Sequence, residues 1–278
     1  MGADSASAAA HAAMPFDFDG DGYAELAVSA PGENLGRMRD AGAVHVLYGS
    51  ASGPTARDQL WHQNRKGIKG SAERGDRFGE ALAAGDFDGD GYADLVIGVP
   101  NVVLASFPGS PGSVAVGGEV VVLRGGTSGL TSNGVQTFSL MTPGLAHAQV
   151  DSLFGRSFGA RLAVGDFNAD DHSDLAVVAP SESGDKVPGA VHVLFGGTAG
   201  LGIDGNQYLS RSAMGFTYED GVLGPIASGD INGDGRHDLV VGDDAFEPHG
   251  REGLIAVLYA GANGFVAADA QHLSLDQQ

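Results

Sequence analysis

Short apolar runs recur along the chain, each closed by Gly, Pro or Asp. LAVSAP stands at 26–31, LVIGVP at 95–100, LAVVAP at 175–180 and LVVGDD at 239–244. A second set follows each of these: GAVHVLYGSASG (42–53), GEVVVLRGGTSG (118–129), GAVHVLFGGTAG (189–200) and GLIAVLYAGANG (253–264). The runs are rich in β-branched residues and too short for helices, so they predict strands. Segments of small residues precede them, as in RFGEALAAGD (77–86), SFGARLAVGD (157–166) and VLGPIASGD (222–230). Gln-led segments close each unit: QLWH (59–62), QTFS (136–139), QYLS (207–210) and QHLS (271–274). The pattern is thus four units of four short strands.

A four-stranded sheet cannot bury both faces alone, and stacking such sheets around an axis solves that problem, so four-strand units of this length predict an all-β chain built as a β-propeller. The expected blades lie at about 14–62, 76–140, 156–210 and 220–275, after an Ala/Ser-rich tail over 1–13. Small residues such as Ala83, Ala84, Gly85, Ala163 and Gly165 suit a crowded innermost strand, and Val-rich third strands suit blade packing.

Between the first and second predicted strands of each unit lies an acidic stretch: DFDGDGYAEL (17–26), DFDGDGYADL (86–95), DFNADDHSDL (166–175) and DINGDGRHDL (230–239). Their starts are 69, 80 and 64 residues apart. Each offers hard oxygens at positions 1, 3, 5 and 9, a backbone carbonyl at position 7, and in three copies a Gly at position 6 for a sharp turn. This is the opening of an EF-hand-type loop closed early, and it suits Ca²⁺ better than Mg²⁺. The expected ligands are Asp17, Asp19, Asp21, the Tyr23 carbonyl and Glu25 in the first loop, and Asp86, Asp88, Asp90, the Tyr92 carbonyl and Asp94 in the second. The third loop offers Asp166, Asn168, Asp170, the His172 carbonyl and Asp174, and the fourth Asp230, Asn232, Asp234, the Arg236 carbonyl and Asp238. Asp171 replaces the turn Gly in the third loop, which makes that site the weakest of the four. The competing reading is a set of solvated Asx-turns, and four copies in register favour calcium.

The Phe-Gly before the loop, the loop itself and the Ala-Pro or Val-Pro after it resemble the FG-GAP repeat of integrin α-chain propellers and of many secreted bacterial proteins. The resemblance covers nearly the whole chain. It departs in number, since integrin-type propellers have seven blades, and in the fourth copy, which lacks both the Phe and the Pro. It implies the same calcium ligands, and recognition on the face opposite the calcium loops.

Charge and composition narrow the function. Fifteen basic against thirty-five acidic residues give a net charge of -20, which argues against nucleic acid and anionic membrane partners. Four Ca²⁺ would bring this to about -12. Loops of this kind in extracellular modules bind calcium at about 10⁻⁴–10⁻³ M, so the reading favours a secreted or cell-surface protein. No Cys is present, no apolar run reaches membrane-helix length, and the first residues do not read as a signal peptide. No catalytic motif stands out, so no catalytic residue is assigned.

The expected function is a calcium-binding, exported, integrin-like recognition or adhesion scaffold that is not an enzyme. Its ligand would be an extracellular protein or glycan. The alternatives are an enzyme-associated or carbohydrate-acting propeller, and a fragment of a larger propeller completed by self-association; a closed ring and an open arc are both open. The rim for a partner is formed by the loops at 32–41, 101–117, 181–188 and 245–252, and 63–76, 140–156 and 211–221. Within it, Pro108 and Pro111 mark 101–117 as a flexible loop, and Phe107, Phe216, Tyr218 and Phe246 are the aromatics that could meet a sugar. The tripeptide Arg74-Gly75-Asp76 matches an adhesion signal but reads as repeat framework. His45, His192 and Trp61 read as packing positions because their places recur.

Overall fold

The computed structural model describes residues 13–106, 114–146, 157–180, 189–216, 222–244 and 254–274. Among them there is no α-helix, and one short 3₁₀ turn at Ala267–Asp269. Four antiparallel sheets follow one another in sequence order. The second is Leu82–Gly85, Asp94–Val99, Glu119–Arg124 and Thr131–Ser139; the third is Arg161–Gly165, Asp174–Ala179, Ala190–Phe195 and Gly202–Ser210; the fourth is Val222–Gly229, Asp238–Asp244, Leu254–Leu258 and Gln271–Ser274. In each of these, neighbouring strands pair antiparallel in order, so successive loops emerge at alternate ends.

The first sheet departs from expectation. It has three strands, Leu26–Ala30, Ala43–Leu47 and Asp58–Trp61. The stretch aligned with a first strand, Ala13–Phe16, is a turn closed by the Asp17 amide on the Met14 carbonyl at 3.0 Å. Pro15 has no N–H for a ladder, and Phe16 sits at φ 64°. The fourth sheet also carries a mark of its altered repeat. Its first pairing slips between Leu223 and Ile226, around Pro225. Leu223 takes the place of the missing Phe and is fully buried. The segment 101–117 is not all loop: Val103–Ser106 and Val114–Val116 pair as a hairpin, with Pro108 and Pro111 outside the described residues.

Three apolar cores hold the sheets together, one at each junction. Phe18, Val44, Val46 and Trp61 of the first sheet meet Leu95, Ile97, Val121 and Leu123 of the second. Phe87, Val96, Val122 and Phe138 meet Leu175, Val177 and Leu194. Phe167, Val191, Val193 and Leu209 meet Leu239, Val241, Leu258 and Phe265. Complete burial of such side chains is worth about 1.5–3 kcal/mol each, so these junctions carry the fold. The first strands of the second, third and fourth sheets lie side by side. Those of the second and third line a cavity of about 650 Å³ together with Ala13, Pro15 and His237. Small residues are required there: a Cβ on Gly85 would stand 2.6–2.7 Å from Val164 and Ser173.

The repeated Phe-Gly has a definite task. The Phe78 amide donates to the Ala41 carbonyl and the Phe158 amide to the Gly117 carbonyl, each at 2.9 Å, stitching one unit to the start of the previous unit's third strand. The backbones approach so closely that a Cβ on Gly118, at φ 70°, would stand 2.3 Å from the Phe158 carbonyl oxygen. Gly118→Ala is therefore expected to cost about 2–4 kcal/mol, through left-handed strain and steric overlap. Gly229→Ala, with no neighbour near its Cβ, is expected to change stability by under about 0.5 kcal/mol. Urea-unfolding midpoints of the two variants check the contrast.

Candidate metal centres

The second, third and fourth acidic stretches join the first and second strands of their units, the first follows the turn at Ala13–Phe16, and all four fold the same way. The position-1 carboxylate is the hub. Asp17, Asp86, Asp166 and Asp230 each accept through Oδ1 from the amide three residues on, at 2.7–2.8 Å. Through Oδ2 they accept from the amide five residues on, at 2.9–3.1 Å. The side-chain oxygens at positions 3 and 5 accept from the amides at 5 and 7; Asp21 accepts from the Tyr23 amide, Asp90 from Tyr92, Asp170 from His172 and Asp234 from Arg236, all at 2.9–3.0 Å. These bonds wrap the loop around its own acids, as Asx-turns do.

Two positions per loop, not one, take left-handed backbone. Gly20 and Gly22, Gly89 and Gly91, and Gly233 and Gly235 occupy them at φ 70–89°. In the third loop Ala169 (φ 60°) and Asp171 (φ 68°) must do so. The Asp171 strain follows from the missing Gly. The Ala169 strain was also readable from the Gly-x-Gly spacing of the other copies.

Convergence differs between loops. Carboxylate oxygens of Asp17, Asp19, Asp21 and Glu25 all lie within 4.8 Å of one another, as do those of Asp86, Asp88 and Asp90. Asp94 stands outside the second group. In the third and fourth loops no three acids close to that distance among the described residues. There the position-3 amides turn inward, Asn168 donating to Asp170 at 2.9 Å and Asn232 to Asp234 at 3.2 Å.

The position-9 acids are buried and tie the loop to its sheet. Glu25 accepts from the Phe18 amide, Asp94 from Gly125, Asp174 from Phe167 and Gly196, and Asp238 from Ile231 and Ala260. Burial pushes Glu25 up to about 6, and Asp94 and Asp174 up to about 7, with the neighbouring loop acids adding to the rise. Asp94 Oδ2 is buried without a hydrogen-bond partner. The Arg124 guanidinium stands 3.6 Å from that oxygen, and a divalent cation would neutralise this buried, crowded carboxylate further. The fit is thus best in the first two loops.

Two residues missed by sequence reasoning stand at these loops. Arg57 reaches Asp19 at 2.5 Å, and Arg124 bonds Asp88. Arg124 ends the third strand of its unit, where the other copies carry Tyr48, Phe195 or Tyr259, and that single basic residue was the available signal.

The loops also join neighbouring units. The position-1 carbonyl accepts from the position-8 amide of the next loop: Asp17 from Ala93 at 2.9 Å, Asp86 from Ser173 at 2.8 Å and Asp166 from His237 at 2.8 Å. Tyr92 and His172, whose carbonyls are expected ligands, lay their rings over Gly20 and Gly89 of the preceding loop.

Other expected positions divide. Trp61 is core, and His192 is buried against Phe158 and Tyr208. His45 is not a packing position: it is exposed and pairs with Asp58 at 2.5 Å, because no sheet covers that face of the first unit. Phe216 is buried, not a rim aromatic, since it packs at the junction of the third and fourth units. Phe107, Tyr218 and Phe246 lie outside the described residues. Asp76 of the Arg-Gly-Asp tripeptide is 2% exposed and accepts from the Glu73 amide at 2.6 Å, so it belongs to the framework.

Comparison with known proteins agrees with this repeat. A family model described as FG-GAP repeat matches residues 10–47, 78–123 and 158–194. Phosphatidylinositol-glycan-specific phospholipase D of Bos taurus is 35% identical over 196 residues, 67% of this chain and 21% of that protein. Integrin alpha pat-2 of Caenorhabditis briggsae is 29% identical over 233 residues, covering 81% and 17%. Integrin alpha-IIb of Mus musculus is 33% identical over 171 residues, covering 59% and 14%. The aligned region spans about a fifth or less of the length of these relatives. With four successive antiparallel sheets and the Phe-Gly stitch at their junctions, the chain is an FG-GAP-repeat protein with an integrin-alpha-like fold.

Proposed function

We propose that this chain is a calcium-stabilised propeller scaffold of the cell exterior, which recognises a protein or glycan partner on the rim opposite its acidic loops and performs no catalysis. The observation that carries the calcium reading is the meeting of Asp17, Asp19, Asp21 and Glu25 within 4.8 Å, on a loop whose Gly20 and Gly22 amides hold the Asp17 carboxylate in place. Calcium at these loops would neutralise the crowded acids and let Glu25, Asp94 and Asp174 ionise. Asp17, Asp19, Asp21, Glu25 and the Tyr23 carbonyl would hold it in the first loop, with the equivalent residues in the others.

The far rim supports recognition. Between the first and second sheets, at the end away from the acidic loops, lies a cavity of about 360 Å³ lined by Gln63, Lys69, Glu73, Asp76 and Glu119. Burial and the Asp76 charge push Glu119 up to about 7. No helix among the described residues is long and apolar enough to cross a membrane. The similarity to proteins named phospholipase D favours a second reading, in which these blades accompany a catalytic domain elsewhere.

Thermal melting tests the calcium reading. Calcium is expected to raise the melting temperature over chelator, and Asp21→Asn to shrink the rise; equal midpoints in calcium and chelator would contradict the proposal. In chelator, Asp94 and Asp174 keep protons in the folded state that the unfolded chain, near 3.8, has released, so stability falls as pH rises from about 4 to 7. Calcium, which prefers the ionised acids, is expected to suppress that fall, as read by thermal melts across this range.

Asp171→Gly relieves a strained left-handed residue and is expected to stabilise the protein by about 0.5–1 kcal/mol and to tighten the third loop's calcium binding, measured by calorimetric titration.

For recognition, the immobilised chain is expected to capture a partner from extracellular protein or on a glycan array, and Glu73→Lys to weaken that capture. Phosphodiester hydrolysis by the chain alone, lost on changing one rim acid, would overturn the non-catalytic reading.

A further inference from the structure

The two outer faces of the four-unit array are the two unmatched halves of the junction that the chain builds three times. On the leading face of the first unit, Leu26, Val28 and Leu60 are 53%, 43% and 47% exposed. Leu26 and Val28 align with Leu95 and Ile97 of the second unit, which are fully buried against the first. On the trailing face of the fourth unit, Ile231 and Leu273 are 51% and 50% exposed. They align with the buried Phe18, Phe87 and Phe167, and with the buried Trp61, Phe138 and Leu209.

The polar parts of the joint are also left over, one on each side. Asp230 carries the carbonyl that would complete the series Asp17, Asp86, Asp166, and among the described residues it accepts no backbone hydrogen bond. Ala24 carries the amide that would complete the series Ala93, Ser173, His237, and it has no partner there either. Tyr23, the counterpart of the rings that cover Gly20 and Gly89, is 43% exposed, while Gly233 has nothing within 4 Å of its Cβ position. At the far side, Gln59, Gln136 and Gln207 each donate to a turn carbonyl of the next unit, at 2.8–3.3 Å. Gln271 accepts from Tyr259 as Gln59 does from Tyr48, and among the described residues its own side-chain amide donates to no carbonyl. The turn residue it would meet is Pro54, which still offers a carbonyl.

We propose that a second copy of this chain docks head to tail on both faces, with the Ile231 face of each copy on the Leu26 face of the other, closing a two-fold ring of eight blades. Head-to-tail contacts close into rings or run on as filaments, and eight blades lie within the range that propellers adopt, about four to eight. No face of either copy is then left without its partner, and the joint uses contacts this sequence already makes with itself.

Sedimentation equilibrium at about 50 µM chain, in calcium and 150 mM salt to screen the net negative charge, reads the mass. The expected species has twice the 28.1 kDa chain mass. Val28→Asp and Ile231→Asp, each on an exposed site that leaves the fold intact, are each expected to give monomer with an unchanged melting curve at low concentration. Because the chain has no Cys, the orientation can be fixed directly with a short bismaleimide. Tyr23→Cys combined with Ile231→Cys is expected to cross-link to two-chain products, and neither single-cysteine variant to do so. A monomer, an open ladder of larger species, a dimer that survives either Asp variant, or cross-linking by a single-cysteine variant would each overturn the proposal.

Discussion

Each unit of this protein is hung on its predecessor through the carbonyl of an aspartate whose carboxylate organises an acidic loop. Asp17, Asp86 and Asp166 make this joint, accepting from Ala93, Ser173 and His237 at 2.8–2.9 Å. The same residue therefore serves the loop with its side chain and the array with its backbone. Whatever fixes the loop fixes the joint. The apolar cores between sheets provide most of the adhesion, and the loops add one directional backbone hydrogen bond at each joint.

That coupling gives the acidic loops their place in the economy of the fold. Like charges packed together, with Glu25, Asp94 and Asp174 driven up by burial, weaken a structure unless something neutralises them. The arginines at Asp19 and Asp88 do part of this, and a divalent cation would do the rest. With one end of the array held by the loops, the opposite end is released for variable loops and for the acidic cavity around Glu119. The proposed calcium sites and the proposed recognition surface would thus lie on opposite rims.

Much of this was legible in the residues, because a repeat states its own alignment. The four-strand units, the loop turns and the cores at Trp61 and His192 follow from period-two patterning and Gly placement. The rest depended on what a unit has beside it. His45 and His192 occupy the same place in their strands, yet one is solvated and the other buried, since no sheet among the described residues packs on that face of the first unit. Leu273 and Trp61 differ for the reverse reason. Phe216 looked like a rim aromatic and is junction core, because burial is set by the neighbouring sheet and not by local sequence. The lost strand at Ala13–Phe16 was readable from Pro15, whose missing N–H ends the ladder.

The most direct test of the coupling between acidic loop and joint is amide hydrogen exchange at Ala93, Ser173 and His237, followed with calcium and with chelator. If the acid loops set the joints, calcium slows exchange at these three amides by more than at strand amides in the sheet centres, such as Val121 and Val193. Exchange at the three amides that is unchanged by calcium, or slowed no more than in the sheet centres, would contradict the account.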